Sequence, residues 1–336
     1  ASETTLSAAA AVLSASSIST FGAVCTNTTA GPNTFTVSGT NLSTANVTVG
    51  PLTGYTFSTD DITYTASLSI VQGGGTFSQL VYVKFTPTLV QSYDGNVAIG
   101  GGGASSINAA VTGSGINTTP TVTAGSATGV TISAATVPGT ITVTGCTAIS
   151  AYGVEYSTTA SFANGTGTPV AGSNLSGGAF SVALSGLATG TTFYYHTYAT
   201  NAAGTSYSAE GSFTTLTPTL SVDALTGFGN VCTGTTAGPN TFTITGTNLS
   251  PADVTVAALS GFTYSTDDIT YFSSLTISQP GGSFSQLIYV KFSPTLVQSY
   301  SGDIAIGGAG AASINRSVTA IGINTPVSVT TGSSSG

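Results

Sequence analysis

The chain has 336 residues, with 3 Lys and Arg against 11 Asp and Glu, for a net charge of −8. Three cations cannot neutralise a phosphate backbone, so nucleic acid is excluded as a partner. The charged fraction is 4%, far below the ~25% of ordinary soluble domains, while the 40% of hydrophobic residues is enough to bury a core and argues against disorder.

Residues 1–12, ASETTLSAAAAV, read as a leader or linker. They lack the basic start of a signal peptide, and the alanine run at 8–12 is the one hint of a helical period. Residues 13–117 then return without a gap as residues 220–324, at a constant offset of 207, with 34 of 105 aligned positions differing. Within this repeat apolar residues alternate with period two, as in Thr34-Phe35-Thr36-Val37, Asn46-Val47-Thr48-Val49 and Leu80-Val81-Tyr82-Val83-Lys84-Phe85. Short alternating segments separated by Gly, Pro, Asn and Asp predict antiparallel β-sandwiches. The expected organisation is therefore all-β: immunoglobulin-like sandwiches over 13–117, 118–216 and 217–324 in a linear array. Each junction, Asn117-Thr118-Thr119-Pro120 and Leu216-Thr217-Pro218, is short and stiffened by proline.

Asp60-Asp61 and Asp267-Asp268 recur in the repeated Ser-Thr-Asp-Asp-Ile-Thr-Tyr. Adjacent carboxylates could hold calcium, with Asp94, Asn96 and Asp303 as further oxygen donors. The competing role, turn formation through the aspartate side chain, is favoured. Lys84 and Lys291, with Asn108 and Asn315 near the last strand, raise an isopeptide crosslink. That chemistry needs a buried lysine, and the alternation puts Lys84 outward beside Tyr82.

In the middle segment the single histidine, His196, lies on a strand where alternation turns Phe193, Tyr195 and Thr197 inward. Tyr194, His196 and Tyr198 then form an outward stripe, an ordinary cross-strand aromatic row or a contact surface for another chain or a sugar. A lone histidine cannot build a Ser/His/Asp set, Gly73–Gly75 and Gly100–Gly103 precede no helix and are not phosphate loops, and no catalytic, metal or cofactor cluster is legible. No apolar run approaches the ~18–20 residues a membrane helix needs.

The cysteines number three: Cys25, Cys146 and Cys232. Cys25 and Cys232 occupy equivalent sites, so neither repeat can hold an internal bond. They read as buried free thiols, and the odd count keeps inter-module or inter-subunit disulfides open. After the second copy, residues 325–336 repeat the opening of the middle segment. They are expected either to begin a further module or to dock as a strand on a neighbour.

Each outer repeat opens on Phe21-Gly22 or its equivalent, runs through Phe35-Thr36-Val37-Ser38-Gly39-Thr40-Asn41-Leu42 and Val83-Lys84-Phe85-Thr86-Pro87 or theirs, and closes on Val111-Thr112-Gly113-Ser114-Gly115 or its equivalent. By these motifs the outer repeats resemble Hydin-like, ASH-type immunoglobulin modules of large secreted proteins from Bacteroidetes-type bacteria. Residues 118–216 resemble a fibronectin type III module through Ala151–Thr158, the corner Leu187–Phe193, Tyr198–Gly204 and Gly211–Thr215. Phe193 stands where that family usually has Tyr, so its corner hydrogen bond is expected to be absent. The resemblance implies secretion and an extracellular or cell-surface place.

A close duplication around a different module marks a tandem array. The expectation is a structural segment of a fibre, filament or stalk whose partners are copies of itself, with no enzyme activity. The alternative is an adhesin repeat region that binds glycans or surfaces. An accessory region of a polysaccharide enzyme is weaker, for want of a catalytic module.

Overall fold

Alternation of β-branched and aromatic residues with Ser, Thr and Gly favours strands over helices, and strands are what form. The computed structural model describes residues 9–324, and these contain no α-helix. In the first repeat the strands are β1 (Val12–Ala15), β2 (Ala23–Cys25), β3 (Ala30–Leu42), β4 (Val47–Val49), β5 (Tyr55–Ser58), β6 (Leu68–Ile70), β7 (Gly75–Phe85), β8 (Gly95–Gly101), β9 (Ala104–Val111) and β10 (Ser114–Ile116). They make two four-stranded antiparallel sheets, β1-β3-β7-β5 and β6-β4-β8-β9.

The register sets the core. Phe35 lies opposite Val81 and Asn33 opposite Val83, which sends Phe35, Val37, Val81, Val83 and Phe85 to one face. Val47, Val49, Val97 and Ile99 come from the other sheet, and none of the nine is more than 2% exposed. Each such side chain contributes about 1.5–3 kcal/mol by leaving water. Phe85 sits at the centre of an aromatic group, its ring 4.8 Å from Tyr55, 5.3 Å from Tyr93 and 5.6 Å from Phe21. The Tyr93 hydroxyl accepts the backbone amides of Thr88 at 3.0 Å and Leu89 at 2.9 Å, a tyrosine corner.

One pairing departs from the antiparallel rule. β10 runs parallel to β2, with Ser114 beside Ala23 and Ile116 beside Cys25.

The second repeat reproduces this plan. Phe242 faces Ile288 as Phe35 faces Val81, Cys232 faces Ile323 as Cys25 faces Ile116, and Tyr300 rebuilds the corner over Thr295 and Leu296. Its core gains methylenes where Val37, Val81 and Val97 become Ile244, Ile288 and Ile304, all three fully buried.

The middle segment holds β11 (Thr121–Ala124), β12 (Ala134–Val143), β13 (Ala151–Ser157), β14 (Thr168–Ala171), β15 (Ser173–Ser176), β16 (Ala179–Ser185), β17 (Thr192–Asn201), β18 (Gly204–Tyr207) and β19 (Gly211–Thr214). Its sheets run β11-β12-β16-β15 and β14-β13-β17-β18, with β19 also on β17. Ala135 and Val137 on β12 lie opposite Leu184 and Val182 on β16, all four buried. Tyr195, two residues beyond Phe193, donates its hydroxyl to the Gly125 carbonyl at 2.8 Å, a tie that sequence reading did not foresee.

Packing density divides the chain into two compact units. One is built on the first repeat with Ile141–Tyr152 and Tyr198–Ser208, the other on Ala124–Thr140, Gly153–Thr197 and the second repeat. The protein is all-β, an assembly of immunoglobulin-like sandwiches.

Candidate functional site

In the first unit the feature with chemical content lies where the first repeat meets Ile141–Tyr152. Alternation on β2 turns Val24 into the core and Cys25 away from it. Cys25 is joined by a disulfide to Cys146, 121 residues on, with a Cα–Cα distance of 5.4 Å. This corrects the reading of Cys25 and Cys146 as buried free thiols. The outward face of β2 is covered by the turn after β12, and both cysteines are half-buried there. Cys232 is a free thiol, also half-buried rather than buried.

Polar contacts surround the bond. The Cys146 amide donates to the Thr118 carbonyl at 3.2 Å. Asn201, 4% exposed, donates its side-chain nitrogen to the carbonyls of Thr118 and Thr144, both at 2.9 Å, and its oxygen accepts the Ala203 amide at 2.8 Å. One buried amide thus ties the linker, the turn after β12 and the end of β17 together, with its donors and acceptor in use. Gly145, at φ +74°, completes the turn: a Cβ there would lie 2.2 Å from the Thr118 oxygen and 2.6 Å from the Asn201 nitrogen.

The repeated aspartates do local work. Asp60 Oδ1 accepts the Ser58 hydroxyl at 2.7 Å and the amides of Ile62 and Thr63 at 2.9 Å; Asp267 does the same with Ser265, Ile269 and Thr270. These bonds, that from the Ser hydroxyl foremost, hold the carboxyl of each near a pKa of about 2. Asp61 accepts the Tyr64 hydroxyl at 2.5 Å, and Asp268 accepts that of Tyr271. The Lys84 ammonium stands 4.0 Å from the Tyr64 ring centroid and that of Lys291 3.9 Å from Tyr271. Burial and then the aspartate bond push both tyrosine hydroxyls up in pKa. Each lysine is thus paired with an aromatic ring, while Asp94 accepts the Gly113 amide and Asp303 the Ser317 hydroxyl.

The outward stripe is not the exposed row that alternation predicts. His196 is 7% exposed, its ring 4.8 Å from Phe162 and its Nε2 3.9 Å from Glu210 Oε2. Phe162, on the loop between β13 and β14, lies over that position. Tyr194 and Tyr198 are half-buried, and Tyr198 stands 6.2 Å from Tyr207. Among the described residues no three His, Cys, Asp or Glu side chains converge as a metal site, and no helix is long and apolar enough to cross a membrane.

No family model matches the sequence, and no curated protein matches it. Solved structures with a similar course are of tandem immunoglobulin-like and fibronectin modules. Titin domains I67–I69 in an E-to-A mutated variant are 11% identical over 94% of this chain and 100% of that one, at a TM-score of 0.37. The I-band fragment I67–I69 of titin is 12% identical over 94% and 99%, at 0.34. The FN1–FN3 domains of chicken CNTN1 are 16% identical over 60% of this chain, at 0.24; the match spans 64% of that fragment's length.

Proposed function

We propose that the chain is a structural repeat segment of an extracellular bacterial fibre, filament or stalk, made of modules at 13–117, 118–216 and 217–324 and associating with copies of itself. The observation that carries this reading is the duplication, 34 differences in 105 gapless positions around an unrelated middle segment. A catalytic site is under no pressure to be present twice, whereas a building unit gains length from each copy. The Cys25–Cys146 disulfide supports an oxidising compartment and hence secretion or a cell-surface place. The near absence of charge removes the repulsion that keeps like surfaces apart. The resemblance to ASH-type and fibronectin type III modules of bacterial surface proteins agrees with both, and the module types favour a non-enzymatic role.

Electron microscopy of the purified chain, with glycan-array binding in parallel, tests the proposal. Ordered fibres support it; monodisperse rods that bind glycans favour the adhesin reading instead. Docking through residues 325–336, which lie outside the described residues, is checked by deleting them and watching whether fibres still form.

A further inference from the structure

Cys232 stands on the same pedestal as Cys25. Each cysteine ends a short strand and pairs in parallel register with the last residue of the closing strand, Cys25 with Ile116 and Cys232 with Ile323. The next amide closes the pairing, Thr26 to the Ile116 carbonyl at 2.9 Å and Thr233 to that of Ile323 at 2.8 Å. The cysteine carbonyl is capped by a threonine hydroxyl three residues on, from Thr28 at 2.6 Å and Thr235 at 2.8 Å. Between them the backbone turns through a left-handed residue, Asn27 at φ 61° and Gly234 at φ 77°, whose amide reaches the carbonyl of Pro87 or Pro294. The position that holds a disulfide in one copy is thus rebuilt, bond for bond, around a half-buried free thiol in the other.

That duplicate is the observation that points to a ligand, and it specifies which. In the first copy the ligand is a cysteine on the turn after β12, anchored by Thr118 just beyond the pedestal. The sequence after each pedestal agrees but for one threonine: Gly115-Ile116-Asn117-Thr118-Thr119-Pro120 in the first copy, Gly322-Ile323-Asn324-Thr325-Pro326 in the second. A half-exposed thiol is also at odds with a chain that carries no Met, no Trp and only three cysteines, because an accessible thiol without a partner is open to oxidation and mispairing.

We propose that Cys232 is one half of a second inter-module disulfide, its partner the cysteine of a further module of the middle kind seated on the second repeat. The inference rests on the alternating-array reading and adds a covalent joint to it. The bond forms by thiol–disulfide exchange. The Cys232 thiol and the partner thiol each give up one proton and the S–S bond between them forms, while the S–S bond of an acceptor disulfide, protein or small-molecule, breaks and takes up the two electrons and two protons, leaving as two thiols.

The test is disulfide mapping on the assembled protein from the cell that makes it, blocked with iodoacetamide before lysis and digested with pepsin without reductant. The Cys25–Cys146 peptide is the internal reference. Cys232 is expected in a peptide joined to a second cysteine from a module like residues 118–216, and its alkylation should rise by about tenfold or more after reduction. Recovery of Cys232 already alkylated, or joined to another Cys232 or to a small thiol, overturns the proposal. A non-reducing gel separates the two sources, each of which upholds it: an unchanged mass on reduction means the partner lies in the same chain, a fall in mass means another chain. Fibres with a free Cys232 would leave the array standing without this joint. A mapped joint in a protein that forms no fibres would do the reverse.

Discussion

Lys84 holds its ammonium 4.0 Å from the centre of the Tyr64 ring, and Tyr64 in turn gives its hydroxyl to Asp61. A cation above the ring face and an anion at the ring edge polarise the phenol in the same sense, so the three groups support one another. The second repeat reproduces the arrangement with Lys291, Tyr271 and Asp268. Tyr64→Leu, which removes ring and hydroxyl, should lower stability by about 1 kcal/mol. Tyr64→Phe, which keeps the ring, should cost less, and chemical denaturation of the two variants beside the parent checks the order.

The Asp60 and Asp267 turns set an acid limit. Their carboxyls lie near a pKa of about 2 in the folded chain, against about 3.9 when unfolded. A depressed carboxylate pKa stabilises the fold above the unfolded value and ceases to do so as pH falls through the folded one. Thermal midpoints should therefore stay level down to about pH 4 and fall between about pH 4 and 2. In Asp60→Asn with Asp267→Asn the fall over that window should be shallower. An unchanged profile would show that these turns do not govern acid stability.

Two tyrosines at exchanged positions should respond in opposite ways. Tyr55 donates its hydroxyl to the Tyr93 carbonyl at 3.2 Å, while its counterpart in the second repeat is Phe262. Tyr264 replaces Phe57, and its fully buried hydroxyl makes no hydrogen bond of normal geometry. Burial raises its pKa, with only the Leu259 backbone acting against the rise. Tyr55→Phe should cost about 1 kcal/mol, whereas Tyr264→Phe should be close to neutral, because the hydroxyl it removes is buried and has only the Leu259 backbone, outside normal hydrogen-bond geometry, to lose. Calorimetry of the two variants tests the contrast.

Asn201 governs the joint beside the disulfide. Asn201→Asp puts a carboxylate against the carbonyls of Thr118 and Thr144 and should cost at least about 2 kcal/mol. Gly145→Ala brings a methyl group against the Thr118 oxygen at a positive φ and should act in the same direction. Both should speed proteolysis at residues 117–120 while leaving the second repeat protected.

Much of this was readable beforehand and some was not, for physical reasons. Phe35, Val37, Val81, Val83 and Phe85 announce their common face because side chains on a strand alternate strictly, and the fold class follows from that. Cys25–Cys146 was not legible, since 121 residues separate partners on different modules and spacing carries no signal at that range. His196 defeated the alternation rule because a loop residue, Phe162, covers a face that strand periodicity assigns to water. Asn201 looked like one more residue in a polar turn, and only the converging carbonyls give it a role.

The disulfide also decides which parts of the chain can carry tension. Residues 26–145 lie inside the loop it closes, from β3 through β12. A pull applied beyond both ends of that loop passes from Cys25 to Cys146 through two sulfur atoms. Once β1 is drawn off β3, the strands of the first repeat downstream of β2 are bystanders to the load. Unravelled, a segment of that length would add about 400 Å of contour; oxidised, it adds none. The joint therefore makes this part of the chain a tether of nearly fixed length, and a change of redox state would turn it into an extensible one.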